Sequence, residues 1–173
     1  ENDVPKALMF VGSVNGTIGY VAEPRGKGIS AYRVDLESGA AEFLTAETAI
    51  VNPTFAAVAP DGKSLMAVSE LPGVVEGQLS SFALDAATGK LTLRGRTGTR
   101  GWTPAHVSYD GSGRYAAVIN YGDAPPDQPG ASVVVVERTT DGGIARIVAE
   151  ATHKGSGPDT GRQNRPHAHC VRW

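Results

Sequence analysis

The segment HKGSGPDTGRQNRPHAHCVRW, residues 153–173, holds His153, His167 and His169, three of the four histidines of the chain, together with Lys154, Arg162, Arg165 and the sole cysteine, Cys170. Imidazole titrates near neutral pH and can take a proton from water, while a guanidinium can hold a developing oxyanion or an anionic substrate group. In an extended strand residues two apart share a face, so His167 and His169 point the same way, ~7 Å apart along the chain. Cys170 then faces the opposite side, and no metal site is expected from these few ligands. GSGPDTG (155–161) does not fit the G-x-G-x-x-G pattern and no strand–helix unit follows it, so no nucleotide cofactor is expected. The segment also lacks a nucleophilic-serine signature. His169 is read as a structural hydrogen-bonding residue, and His167, directly after Pro166, as the functional one.

What must position these groups is a set of short strands. The 22 Gly and 11 Pro are spread along the chain and punctuate short apolar runs such as ALMFVG, SLMAVS, YAAVIN and SVVVVE. No window carries a convincing helical spacing of apolar residues, so the chain reads as all-β. NPTFAAVAPDGKSLMAVSE (52–70) lies without a gap over TPAHVSYDGSGRYAAVINY (103–121), which sets Pro53 on Pro104 and Gly62 on Gly113, both 51 apart. YRVDLESGAAEF (32–43) matches FALDAATGKLTL (82–93), with Asp35 on Asp85 and Gly39 on Gly89, and SVVVVERTTDGGIARIV (132–148) is a looser third copy. Each unit reads as strand, Gly turn, strand, loop, strand, Asp–Gly turn, strand. Four antiparallel strands every ~40–50 residues mark a β-propeller blade.

The expected units are 1–51, 52–102 and 103–164, with the start of a next blade over 165–173. At 173 residues the chain supplies about 3.4 such units, whereas propellers close with about 4–8 blades. An open arc exposes blade faces and strand edges, so a second polypeptide or a missing C-terminal half is expected to complete the ring. Polar residues break the repeat at a few places: His106 stands where its mate is Phe55, Glu70 is the mate of Tyr121, and Ser69 is the mate of Asn120.

The totals exclude some partners. Sixteen basic against eighteen acidic residues leave a net charge of −2 with no long run of one sign, which argues against nucleic acid or an anionic membrane. No stretch approaches the ~20 apolar residues of a membrane span. The start ENDVPKALMF has no basic region followed by an apolar run, and it has no initiator Met either. The compartment stays undecided between the cytoplasm, slightly favoured, and a form whose leader has been removed.

NPTFAAVAPDGKSLMAVSE, PAHVSYDGSGRYAAVINYGD and above all HKGSGPDTGRQNRPHAH resemble the seven-bladed β-propeller lactonase family, which includes propeller-type 6-phosphogluconolactonases and fungal carboxymuconate cyclases. The likeness covers nearly the whole chain. It implies a polar cluster of Glu70, His106, Asn120, Arg162 and His167 at the mouth of the central channel. The sequence departs from the common pattern at Ser69, where Asn is usual, and in GDAPPDQPGAS (122–132), which lengthens a short link. The resemblance implies a hydrolase acting on a small-molecule sugar-acid lactone, without cofactor. The alternatives are a muconate-lactone-type cycloisomerase and a non-catalytic binding scaffold. In the hydrolytic reading His167 is the general base, Glu70 orients it or a water, Arg162 and Asn120 bind substrate oxygens, His106 is a polar wall, and Lys154 and Arg165 can bind an anionic group.

Overall fold

The computed structural model describes residues 5–71, 73–74, 76–122 and 130–173, and among them it contains β-strands and no helix. Strands β1 (Lys6–Ser13), β2 (Gly28–Asp35) and β3 (Ala41–Glu47) form a first antiparallel sheet. A second sheet contains β4 (Pro53–Val58), β5 (Ser64–Ser69), β6 (Gln78–Leu84) and β7 (Leu91–Gly98). The third contains β8 (Pro104–Tyr109), β9 (Tyr115–Asn120), β10 (Val133–Arg138) and β11 (Ile144–Ala151). Each sheet is a meander in chain order, β4 packs against β8, and β1 packs against β4 as β5 does against β8. These are successive blades of a partial propeller.

The repeat is reproduced in the ladders. Pro53 opposes Ser69 and Phe55 opposes Val68, while Pro104 opposes Asn120 and His106 opposes Ile119. In both blades the residue after the proline is left out of the ladder, so the same irregularity recurs at the same place. The β2–β3 and β6–β7 turns are equally alike. Gly39 and Gly89 take φ of +73° and +72°, a region cheap only for glycine, and Asp35 and Asp85 each accept a backbone N–H from two residues ahead.

Packing follows from alternation along strands buried on both faces. Every residue of β5 is buried. Leu65 and Ala67 face the first sheet, in a cluster with Ile29, Ile50, Phe82 and Leu91. Met66 and Val68 face the third, with Leu79, Val107, Val118, Val134 and Val136. On the face away from the proline ends, Arg138 of β10 reaches across to donate to Gly113 O and to the Asp61 carboxylate, tying the second and third sheets together.

Acid is expected to loosen the turns. The Ser38 backbone N–H holds the Asp35 carboxyl below its ordinary value, and the Thr88 side chain does so for Asp85. A carboxyl depressed in the folded chain stabilises it above the ordinary carboxylate pKa, and the benefit disappears as pH falls through the folded-state value. The melting temperature should therefore be level above about pH 5 and fall below about pH 4. Asp85→Asn should flatten part of that fall.

The end of the chain differs from the sequence expectation. Residues 152–173 carry no strand, including 165–173, read above as the inner strand of a new blade. The two proline-led strands, β4 and β8, each pair with the segment that follows them, β5 and β9. The tail still runs along β8: the Trp173 indole donates to Ser108 O at 3.0 Å, and Cys170 Sγ lies 3.7 Å from His106 Nε2.

Candidate functional site

The proline ends of β4 and β8 lie beside the last residues of β5 and β9, so the loops leaving those strands gather at one end of the blades. Asn52, just before Pro53, organises the first part. It is fully buried with φ +44°, and its side-chain oxygen accepts the N–H groups of Asn15 and Gly16 at 3.1 and 2.7 Å. Its Nδ2 donates to Glu70 O at 3.1 Å, and the Glu70 N–H donates back to Asn52 O at the same distance. One amide thus fixes both the β1–β2 loop and Glu70.

That loop delivers Tyr20, whose hydroxyl donates to Glu70 Oε2 at 2.7 Å. Partial burial and then the Glu70 carboxylate raise the Tyr20 pKa to about 12, so the phenol stays protonated as a donor. The pair lines a cavity of about 540 Å³ whose other walls include Ile18, Leu71, Val74, Trp102 and Tyr121. A cleft of that size, mostly apolar with few polar groups, suits a small molecule.

Tyr121, the repeat mate of Glu70, is the hub of the second part. Its ring lies 4.8 Å from the His167 ring and 5.3 Å, edge-on, from His169, measured between centroids. Arg162 Nη2 donates to its hydroxyl at 3.2 Å, and His167 Nδ1 lies 3.1 Å from its carbonyl oxygen. A carbonyl can only accept, so Nδ1 carries the hydrogen and Nε2 is the basic nitrogen of the neutral ring. Arg162 itself is presented by a turn around Asp159, whose Oδ1 accepts the Gly161 and Arg162 N–H groups at 3.0 and 3.2 Å.

Of the expected residues, Arg162 and His167 are brought together on Tyr121, and Glu70 shares the cavity with that tyrosine. His106 stands lower on β8, stacked 4.1 Å from Phe55, and is not part of the cavity lining. Its pKa is pushed down by burial and by the positive charges of Arg172 and His169. Asn120, expected on substrate oxygens, is buried instead, and its Nδ2 donates to Thr99 O at 2.7 Å and Ala131 O at 2.9 Å. Both amide hydrogens are thereby committed to the backbone, which makes it a strut between loops. Lys154 is exposed and Arg165 half-buried, neither in the cavity lining. Residues 123–129 of the lengthened 122–132 link lie outside the described residues.

Asn52, Tyr20 and Trp102 were not singled out from sequence. Asn52 was visible only as the residue ahead of the repeated proline. Tyr20 sits in a loop with no counterpart in the repeat, and its bond to Glu70 spans 50 residues.

A family model described as Lactonase, 7-bladed beta-propeller, matches residues 15–173. A 6-phosphogluconolactonase of Formosa agariphila is 34% identical over 161 residues, 93% of this chain and 42% of that protein. A 6-phosphogluconolactonase of Bacillus subtilis is 27% identical over 154 residues, 89% of this chain and 41% of that protein. Among solved structures, one from Bacteroides fragilis superposes with a TM-score of 0.81 at 29% identity, covering 96% of this chain and 42% of that one. The periplasmic gluconolactonase of Pseudomonas aeruginosa gives 0.70 at 28% identity, covering 87% and 39%. The chain therefore spans about two fifths of the length of these relatives. With the blade ladders, the proline-led strands and the family match running over the same residues, this chain belongs to the seven-bladed β-propeller lactonase family.

Proposed function

We propose that this chain forms part of a site that hydrolyses a sugar-acid lactone at the mouth of the propeller channel. The observation that carries the reading is Tyr121, which holds Arg162 through its hydroxyl and His167 through its carbonyl beside a cavity of about 540 Å³. In this reading His167 Nε2 takes a proton from water as the water oxygen bonds to the lactone carbonyl carbon. Arg162 stabilises the oxyanion that forms on the carbonyl oxygen. The ring C–O bond then breaks, and the proton held by His167 passes to the departing oxygen, giving the open hydroxy acid. Glu70, fixed by Asn52 and Tyr20, binds substrate hydroxyls. Asn120 keeps the supporting loops in place, and Lys154 and Arg165 stand outside the bond-breaking step.

The relatives named 6-phosphogluconolactonase and gluconolactonase support a lactone as the substrate class. The remaining blades, in a continuation of this polypeptide or in a second one, belong to the same proposal. Acid release from D-glucono-δ-lactone, with and without a 6-phosphate, tests it in a pH-stat. The complete protein is expected to exceed the spontaneous rate on at least one of the two, and a rate equal to the blank for both overturns the reading.

A further inference from the structure

The cavity beside Glu70 has a charge pattern that bears on what fits there. Its described lining contains one acidic side chain, Glu70, and no Lys, Arg or His. The described residues of the surrounding loops do not add a cation to it. Of the two in the β1–β2 loop, Arg25 lies 3.9 Å from Glu23 and Lys27 sits over the Phe43 ring, 5.7 Å from its centroid. The described residues 70–71, 73–74, 76–77 and 121–122 include no Lys, Arg or His. Arg100 donates its backbone N–H to Glu76 and lies outside the lining. Arg162 approaches through its hydrogen bond to the hydroxyl of Tyr121, one of the lining residues.

The remaining surface is aromatic and aliphatic. Tyr20 is 66% exposed although its hydroxyl is held, so one large ring face is offered to the cavity that Trp102 and Tyr121 also line. Flat aromatic walls around a single hydrogen-bonded carboxylate suit a polyhydroxylated ring. The rings cover its C–H surface, and the carboxylate accepts from its hydroxyls. A phosphate dianion beside Glu70 faces a like charge.

We propose that this cavity selects an uncharged, unphosphorylated aldonolactone, and that Tyr20 is a specificity-determining residue that stacks on the sugar ring and holds Glu70 toward its hydroxyls. The proposal rests on the lactone reading above for the class of compound and adds the charge state and the residue that sets it.

The test separates binding from turnover. D-glucono-δ-lactam, a neutral analogue that the hydrolytic step does not consume, and its 6-phosphate are titrated calorimetrically into the complete protein. The neutral lactam should bind at least about tenfold more tightly. Tyr20→Ala should weaken the neutral lactam by about tenfold and bring the two affinities closer together, while Tyr20→Phe, which keeps the ring, should fall between Tyr20→Ala and the unaltered protein. Circular dichroism and melting curves establish that both variants are folded. Equal affinities, tighter binding of the phosphorylated lactam, binding of neither, or a folded Tyr20→Ala protein with unchanged preference overturns the proposal. Turnover of the two lactones is measured alongside. Preference for the neutral lactam without hydrolysis of either lactone supports the cavity assignment and removes the hydrolase reading. Hydrolysis with a phosphorylated preference does the reverse.

Discussion

His167→Ala is expected to lower kcat/KM for lactone hydrolysis by about 10²–10⁴-fold, the usual contribution of a positioned acid–base group. The geometry makes the expectation specific. The Tyr121 carbonyl binds Nδ1 and the Tyr121 ring lies against the imidazole, so the side chain is oriented and its tautomer selected. Removing it takes away the proton acceptor while Arg162 and Glu70 keep their own anchors, Tyr121 Oη and the Asn52–Tyr20 pair. The lost rate should appear in kcat more than in KM. Full activity in a folded His167→Ala protein would assign the base elsewhere.

Phe82→Ala should destabilise the fold by about 3–5 kcal/mol. Phe82 is 1% exposed, opposes Leu65 across the β5–β6 ladder, and packs in the cluster of Ile29, Ile50, Ala67 and Leu91 that joins the first and second sheets. The ring is the largest side chain in that cluster, and backbone ladders on two sides prevent the site from collapsing around the gap. For a chain of this size the melting temperature should fall by roughly 6–20 °C. A lower urea midpoint with an unchanged m-value would locate the loss in the folded packing.

The blades were legible because their signals are local and repeated. Pro53 and Pro104, Gly39 and Gly89, and Asp35 and Asp85 each mark a strand start or a turn that short-range chemistry dictates, and the ladders place them in equivalent positions. The tail had the same local signal at Pro166 and yet forms no strand, because a strand is defined by its neighbour and not by its own residues. The site was legible only in part. Arg162 and His167 lie five residues apart and meet on Tyr121, a position that the repeat had aligned with Glu70. Tyr20 and Asn52 act through bonds to partners 50 and 37 residues away, which no spacing along the chain reveals. Asn120 shows the opposite failure. A polar residue at a strand end can serve a ligand or the backbone, and only the placement of Thr99 O and Ala131 O decides for the backbone.

The shared ladder of β4–β5 and β8–β9, opened by Pro53 in one blade and Pro104 in the other, limits how this fold can change length. Adding one residue inside a strand would turn every later side chain to the opposite face. Copying a whole 51-residue period, with the join placed at the proline, would instead supply new strands already in phase with both neighbours. Duplication by complete modules, and not gradual insertion within strands, is therefore the route by which such an arc can be widened in the laboratory.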